Sequence, residues 1–129
     1  QFASSAASDV YKRQVVFGGD TTYMLELAEF AKGADLLIHE AMLEAGILPL
    51  VARIANGDDR LLKHLYSSHT PAADAAKIAT LAGVKALALN HLIPSDDPNF
   101  TANHWRQAVE PEWPGPFYLG SDGLRIELN

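Results

Sequence analysis

Cysteine is absent from the 129 residues, which excludes disulfides, thiolate metal sites and a cysteine nucleophile together. Any metal centre in this chain must therefore use histidine and carboxylate. Long apolar runs are also missing: none approaches the roughly 18 residues that a membrane-spanning helix needs. Basic residues are scarce, with 10 Lys and Arg against 16 Asp and Glu and a net charge of −6. Such a balance disfavours nonspecific attraction to nucleic acid, which relies on clustered Lys and Arg facing phosphates. Repeats, low-complexity tracts and linkers are lacking too. What remains, 48% hydrophobic and 20% charged, fits one globular α/β unit or a large piece of one.

The first fourteen residues do not read like the rest. Ser4-Ser5-Ala6-Ala7-Ser8-Asp9-Val10-Tyr11-Lys12-Arg13-Gln14 resembles the in-frame translation of a transposase-type sequencing adapter. The expectation is a non-native, disordered tail over residues 1–14, left out of fold reasoning, followed by a truncated domain over residues 15–129. Without Lys12, Arg13 and Asp9 the remainder carries 8 basic and 15 acidic residues, a net charge of −7.

The rest of the chain is organised around Val15-Val16-Phe17-Gly18-Gly19-Asp20-Thr21-Thr22. Three apolar residues without polar alternation predict a strand covered on both faces. The glycines allow a sharp turn and the close approach of a ligand. Asp20 then stands at the carboxyl end of the strand, where open α/β sheets place their ligands, and Thr21 or Thr22 is suited to cap a helix. Met24, Leu27, Ala28 and Ala31 recur at helical spacing up to Gly33, and Asp35 to Glu40 is a second apolar strand ending in His39 and Glu40. Strand, helix, strand with tight connections is a βαβ unit with parallel strands. Between Ala41 and Ser68 a helical excursion is expected, with Pro49 opening one helix and Asn56-Gly57-Asp58-Asp59 breaking it. Thr70 and Pro71 read as the cap and first residue of an alanine-rich helix ending at Gly83. Val84 to Asn90 is a third strand with His91 just beyond it. Thr101 starts a further helix, and Pro116–Leu119 and Leu124–Leu128 read as two last strands joined by a hairpin-type turn at Gly120-Ser121-Asp122-Gly123.

Three strand ends thus deliver Asp20, the pair His39-Glu40, and His91, while His69 precedes a helix on the same side. Any one of these histidines alone is most simply a structural residue. Together, Asp and His on separate strand ends make a ligand set for zinc or another borderline divalent metal. His64 and His104 read as solvent or packing residues.

Gly18-Gly19-Asp20-Thr21, Ala34 to Ala41 with its His39-Glu40-Ala41, His69-Thr70-Pro71 and Leu89-Asn90-His91-Leu92-Ile93-Pro94, in that order, resemble the C-terminal half of a metallo-β-lactamase-fold hydrolase. The branch is that of tRNase Z and the arylsulfatase-like phosphodiesterases. The resemblance implies part of an αββα sandwich with a dinuclear metal site, usually zinc, with manganese or iron as substitutes. It implies Asp20 as the carboxylate bridging the two metals, His91 as a ligand of the second, and His69 and Glu40 as the catalytic pair, His69 assisting the leaving group. His39 and Thr21 would stand beside the ligands. The family's His-x-His-x-Asp-His ligand motif is missing and would lie upstream of Val15, so the chain alone is expected to be inactive.

His-Thr-Pro and Asn90-His91 depart from the His-Ser-Thr and Thr-His of the tRNA-processing enzymes. With the acidic balance, they lead to the expectation of a small-molecule phosphodiester, sulfate ester or related ester as substrate. On the same grounds nucleic acid is held unlikely as a partner, no membrane is implied, and a homodimer of the parent stays open. The alternatives are a tRNA 3′-processing endonuclease and a noncatalytic α/β ligand-binding domain.

Overall fold

The computed structural model describes residues 3–6, 13–56 and 58–128. In chain order the elements are β1 (Ala3–Ala6), β2 (Gln14–Phe17), α1 (Leu25–Phe30), β3 (Leu36–Met42), α2 (Glu44–Ala55), α3 (Asp59–Ser68), α4 (Ala72–Ala82), β4 (Leu87–Ile93), α5 (Ala102–Val109) and β5 (Phe117–Leu119). One five-stranded sheet has them in sequence order, β1-β2-β3-β4-β5. β2 to β5 run parallel, and β1 lies antiparallel on the edge of β2.

Parallel strands that always step in one direction, joined by right-handed crossovers, place their helices on one face. The packing agrees. Val16, Leu37, Leu87 and Leu89 share a buried cluster with Leu27 and Ala28 of α1, Ala75, Ile78 and Ala79 of α4, and Trp105 and Val109 of α5. Alanines make up most of the buried side of α4, and their small side chains let this central helix lie close to the sheet. Gly83 closes it in the left-handed conformation at φ 64°, a position that favours glycine. The other face of the sheet carries Leu36, Ala86 and Ala88, with Val15, Ile38, Tyr118, Ile126 and Leu128 partly buried around them. Among the described residues no helix is long and apolar enough to cross a membrane.

Several expectations change here. Ala3–Ala6 pairs with β2, and Gln14 opens that strand, so the disordered tail expected over residues 1–14 does not hold for these positions. Residues 1, 2 and 7–12 lie outside the described residues. An edge strand presents a row of free backbone groups, and any extended segment within reach can satisfy them. The α2 helix begins at Glu44 and keeps Pro49 inside it. Packing of Ile47, Leu50 and Val51 against Met42 and Leu65 outweighs the hydrogen bond lost at an exposed proline. Leu124–Leu128 forms no strand, and β5 pairs with β4 rather than with a hairpin partner.

Candidate metal and catalytic site

The predicted residues are placed by different elements of the fold. β2 continues its pairing through Gly18, whose N–H donates to the Ile38 carbonyl at 2.8 Å. A Cβ on Gly18 would lie 3.1 Å from both the His39 ring and Leu27, so a side chain is crowded out there. Gly19 then turns the chain at φ 70°, and Asp20 projects into solvent, its side chain 59% exposed. His91 lies within β4 rather than beyond its end. The register with β3 jumps between Glu40 and Ala41, which face Asn90 and Leu92, so His91 is the extra residue of a bulge and takes φ 44°. Bulges of this kind re-aim a side chain. Here the ring turns to Asp20, with His91 Nδ1 at 3.5 Å from Asp20 Oδ1.

His69 follows the last turn of α3 as its C-terminal cap. Its ring stacks on that of His91 at 5.7 Å between centroids and 26° between planes. Its Nδ1 approaches Glu40 Oε2 to 3.4 Å without hydrogen-bond geometry, and both atoms are buried without another partner. The four side chains therefore form a line from solvent to interior: Asp20, His91, His69, Glu40. At its inner end Glu40 is 1% exposed, and burial pushes its carboxyl up to about 7. The N–H groups of Thr70 at 2.8 Å and Thr21 at 3.4 Å work against that rise by donating to Oε1. The charge of Asp20 adds to it, and His91 opposes it.

His39 points to the opposite face of β3 and does not join this line. Its Nδ1–H donates to the Glu40 carbonyl at 2.6 Å, the ring is fully buried, and burial holds its pKa below the usual histidine value. It thus packs under Gly18 as an uncharged ring. Thr21 does not cap α1, whose cap position is Met24. Its backbone N–H goes to Glu40 instead. His64 and His104 are exposed, and His104 Nδ1 accepts from the Thr101 N–H at 3.0 Å.

Among the described residues, one group of three brings metal-ligating atoms within 4.8 Å of one another: Glu40, His69 and His91. Asp20 touches this group through His91. Imidazole nitrogen and carboxylate oxygen are the donor types that fit a borderline divalent cation. An open groove of about 600 Å³ leads away from His91 past Asn90 and Ser95 to Ser121 and Asp122.

Thr70 has the sequence position of a helix cap but serves otherwise. Helix α4 starts at Ala72 with Pro71 as its cap residue and no side-chain cap, and the fully buried Thr70 donates its hydroxyl to the Thr21 carbonyl. No local sequence signal distinguishes this use from capping, because the partner is 49 residues away.

No protein-family model matches the chain. Over 116 residues it is 33% identical to a ribonuclease Z of Myxococcus xanthus, covering 90% of this chain and 33% of that protein. It is 43% identical over 82 residues to a ribonuclease Z of Brevibacillus brevis, covering 64% of this chain and 22% of the relative. The chain thus spans well under half the length of these curated relatives. Among solved structures it superposes on the metallo-β-lactamase fold protein YhfI from Bacillus subtilis with a TM-score of 0.64 and 22% identity, covering 98% of this chain and 48% of that one. The short form of human tRNase Z gives a TM-score of 0.55 at 21% identity, covering 95% of this chain and 36% of that structure.

These relatives correct one expectation. A small-molecule ester substrate with nucleic acid unlikely does not stand beside relatives that are ribonucleases Z. That expectation leaned on net charge, whereas phosphate binding depends on where basic groups cluster. The chain carries part of a metallo-β-lactamase fold, with ribonucleases Z as its sequence relatives.

Proposed function

We propose that the protein to which this chain contributes is a metal-dependent ribonuclease of the ribonuclease Z type, hydrolysing a phosphodiester bond in an RNA such as precursor tRNA. The observation that carries the reading is the line of Asp20, His91, His69 and Glu40, brought together from the loop after β2, the bulge in β4, the end of α3 and β3. It is supported by the similarity to ribonucleases Z over 90% of this chain.

In this reading Asp20 and His91 hold metal, zinc in the first instance and two ions in the intact protein, together with ligands from outside this chain. The metal supplies a Lewis acid for the phosphoryl group and acidifies water at neutral pH. His69 serves the leaving oxygen. Glu40 Oε2 lies 3.4 Å from Nδ1, on the buried side of the ring, which leaves Nε2 as the nitrogen to serve the departing alkoxide. Stacking on His91 fixes the plane of the His69 ring, and the buried hydrogen bonds to Glu40 fix the carboxylate. The polar groove beside His91 offers Asn, Ser and Asp side chains to the RNA strand.

The test uses the intact protein and a precursor tRNA carrying a 3′ trailer. Cleavage lost together with zinc in Asp20→Asn is expected. His69→Ala should lower turnover by about 10²–10⁴-fold at nearly unchanged metal content. A zinc-loaded protein that leaves the RNA intact would overturn the ribonuclease reading, and metal lost in His69→Ala would make that residue a ligand.

A further inference from the structure

Thr70 spends every polar group it has on the site. Its N–H donates to Glu40 Oε1 at 2.8 Å, its carbonyl accepts from the Met42 N–H at 2.8 Å, and its hydroxyl donates to the Thr21 carbonyl. The residue is fully buried, so its own polar groups depend on these protein partners. Thr21 is held from both sides, its N–H by Glu40 Oε1 at 3.4 Å and its carbonyl by Thr70. Two of these donors belong to peptide groups directly beside the chemistry. The Thr21 N–H lies in the peptide plane that follows Asp20, and the Thr70 N–H in the plane that follows His69. One carboxylate oxygen of Glu40 therefore grips both planes, and the Thr70 hydroxyl holds the next peptide of the Asp20 loop through the Thr21 carbonyl.

Without that hydroxyl the Asp20 loop would retain only the longer Glu40 bond across this junction. The side chain of Asp20 is itself largely in solvent and meets His91 only at 3.5 Å, so it does little to fix its own loop. Using the hydroxyl here leaves α4 without a side-chain cap, although Thr is a favoured capping residue.

We infer that Thr70 is a positioning residue, one that sets the placement of Asp20 relative to His69 and His91 by tying the Thr21 carbonyl to the turn that carries His69. As a statement about catalysis this rests on the ribonuclease reading above. As a statement about geometry it does not.

The experiment compares the 129-residue chain with its Thr70→Ser and Thr70→Val variants by NMR on isotope-labelled protein. Serine keeps the hydroxyl, and valine keeps the shape without it. In the parent chain the Thr70 hydroxyl proton should exchange slowly and show a nuclear Overhauser contact to Thr21 or Thr22. In Thr70→Val the Asp20 and Thr21 amides and the His69 and His91 ring protons should shift, while the Ile78 and Leu87 methyls stay in place. Thr70→Ser should restore the parent positions of all of them.

Unmoved Asp20 and His91 signals in Thr70→Val, equal shifts in the serine and valine variants, or a hydroxyl with no contact to Thr21 would each overturn the assignment. Should Thr70→Val fail to fold, the parent hydroxyl and the serine variant still decide. In the intact protein Thr70→Val should lower kcat by about 10–100-fold, as loss of a group that orients ligands does, with KM held and rescue by serine. Shifts as expected with no RNA cleavage by the intact protein would leave the positioning role standing and remove the ribonuclease reading. RNA cleavage with unmoved signals would do the reverse.

Discussion

Glu40→Gln isolates the electrostatic cost of the buried carboxylate. Glutamine keeps the shape, and its amide oxygen can still accept from the Thr70 and Thr21 N–H groups that now serve Oε1. What it removes is a charge that burial disfavours. Burial raises the Glu40 pKa from 4.5 to about 7, so the folded state keeps its proton where the unfolded chain has lost it. The stability this contributes is complete below pH 4.5 and is lost as pH rises through about 7. At 1.36 kcal/mol per pH unit of difference, the loss amounts to about 3 kcal/mol. Urea unfolding of both chains from pH 4 to 9, at fixed ionic strength and with chelator present, gives the comparison. The stability of Glu40→Gln relative to the parent should climb by about 3 kcal/mol between pH 4.5 and 7 and then stay level. His39 pulls the absolute curves the other way below its ordinary range, because burial lowers its pKa, but it is common to both proteins and cancels in the difference. A flat difference curve would refute the reasoning. It would mean that the carboxylate is charged throughout and that its interaction with His69 outweighs burial.

Gly46→Ala places a Cβ 2.7 Å from Pro94 Cδ and 2.8 Å from its Cγ. A stiff proline ring cannot swing aside, so a loss of about 1–3 kcal/mol is expected, read as a lower urea midpoint at unchanged slope. The His39 ring protons, followed by NMR, should hold their neutral positions as pH falls through 6.5, because burial lowers that pKa; a midpoint at or above 6.5 would contradict the buried, uncharged ring. Arg53 and Asp96 pair at 3.2 Å with 47% and 69% of their side chains exposed. Asp96→Asn should therefore leave stability nearly unchanged, and a clear loss in thermal unfolding would show that the pair anchors the loop after Pro94.

Legibility in the sequence tracks how local the cause is. Val15-Val16-Phe17 and Leu36-Leu37-Ile38 announce parallel strands because both of their faces are apolar, a property each segment carries by itself. The α4 stripe of Ala75, Ile78, Ala79 and Ala82 is equally local. Pro49 misleads because a proline normally marks a helix start, whereas α2 is held by Ile47, Leu50 and Val51 against Met42 and Leu65. Leu124–Leu128 misleads because apolar alternation specifies a face to bury, not a strand to pair with. Ile126 and Leu128 do cover the sheet, but without ladder bonds. The site residues are legible as types at strand ends. Their partners are not, since the Glu40–His69 contact spans two helices and the Thr70–Thr21 bond spans 49 residues.

The bulge at His91 shows how such a site can arise from a regular sheet. In an unbroken ladder the residue after Asn90 would face Ala41 and continue the alternation of β4. The extra residue lets Leu92 take that place and frees His91 from the pattern. At φ 44° its ring is carried over the sheet end to lie between Asp20 and His69. A non-glycine residue in that region is disfavoured, and the observed outlier is what lets His91 join the solvent-facing Asp20 to His69 and, through it, to the buried Glu40. The strand thus gives up one position of its own regularity, and the four polar groups become a continuous path from solvent to Glu40.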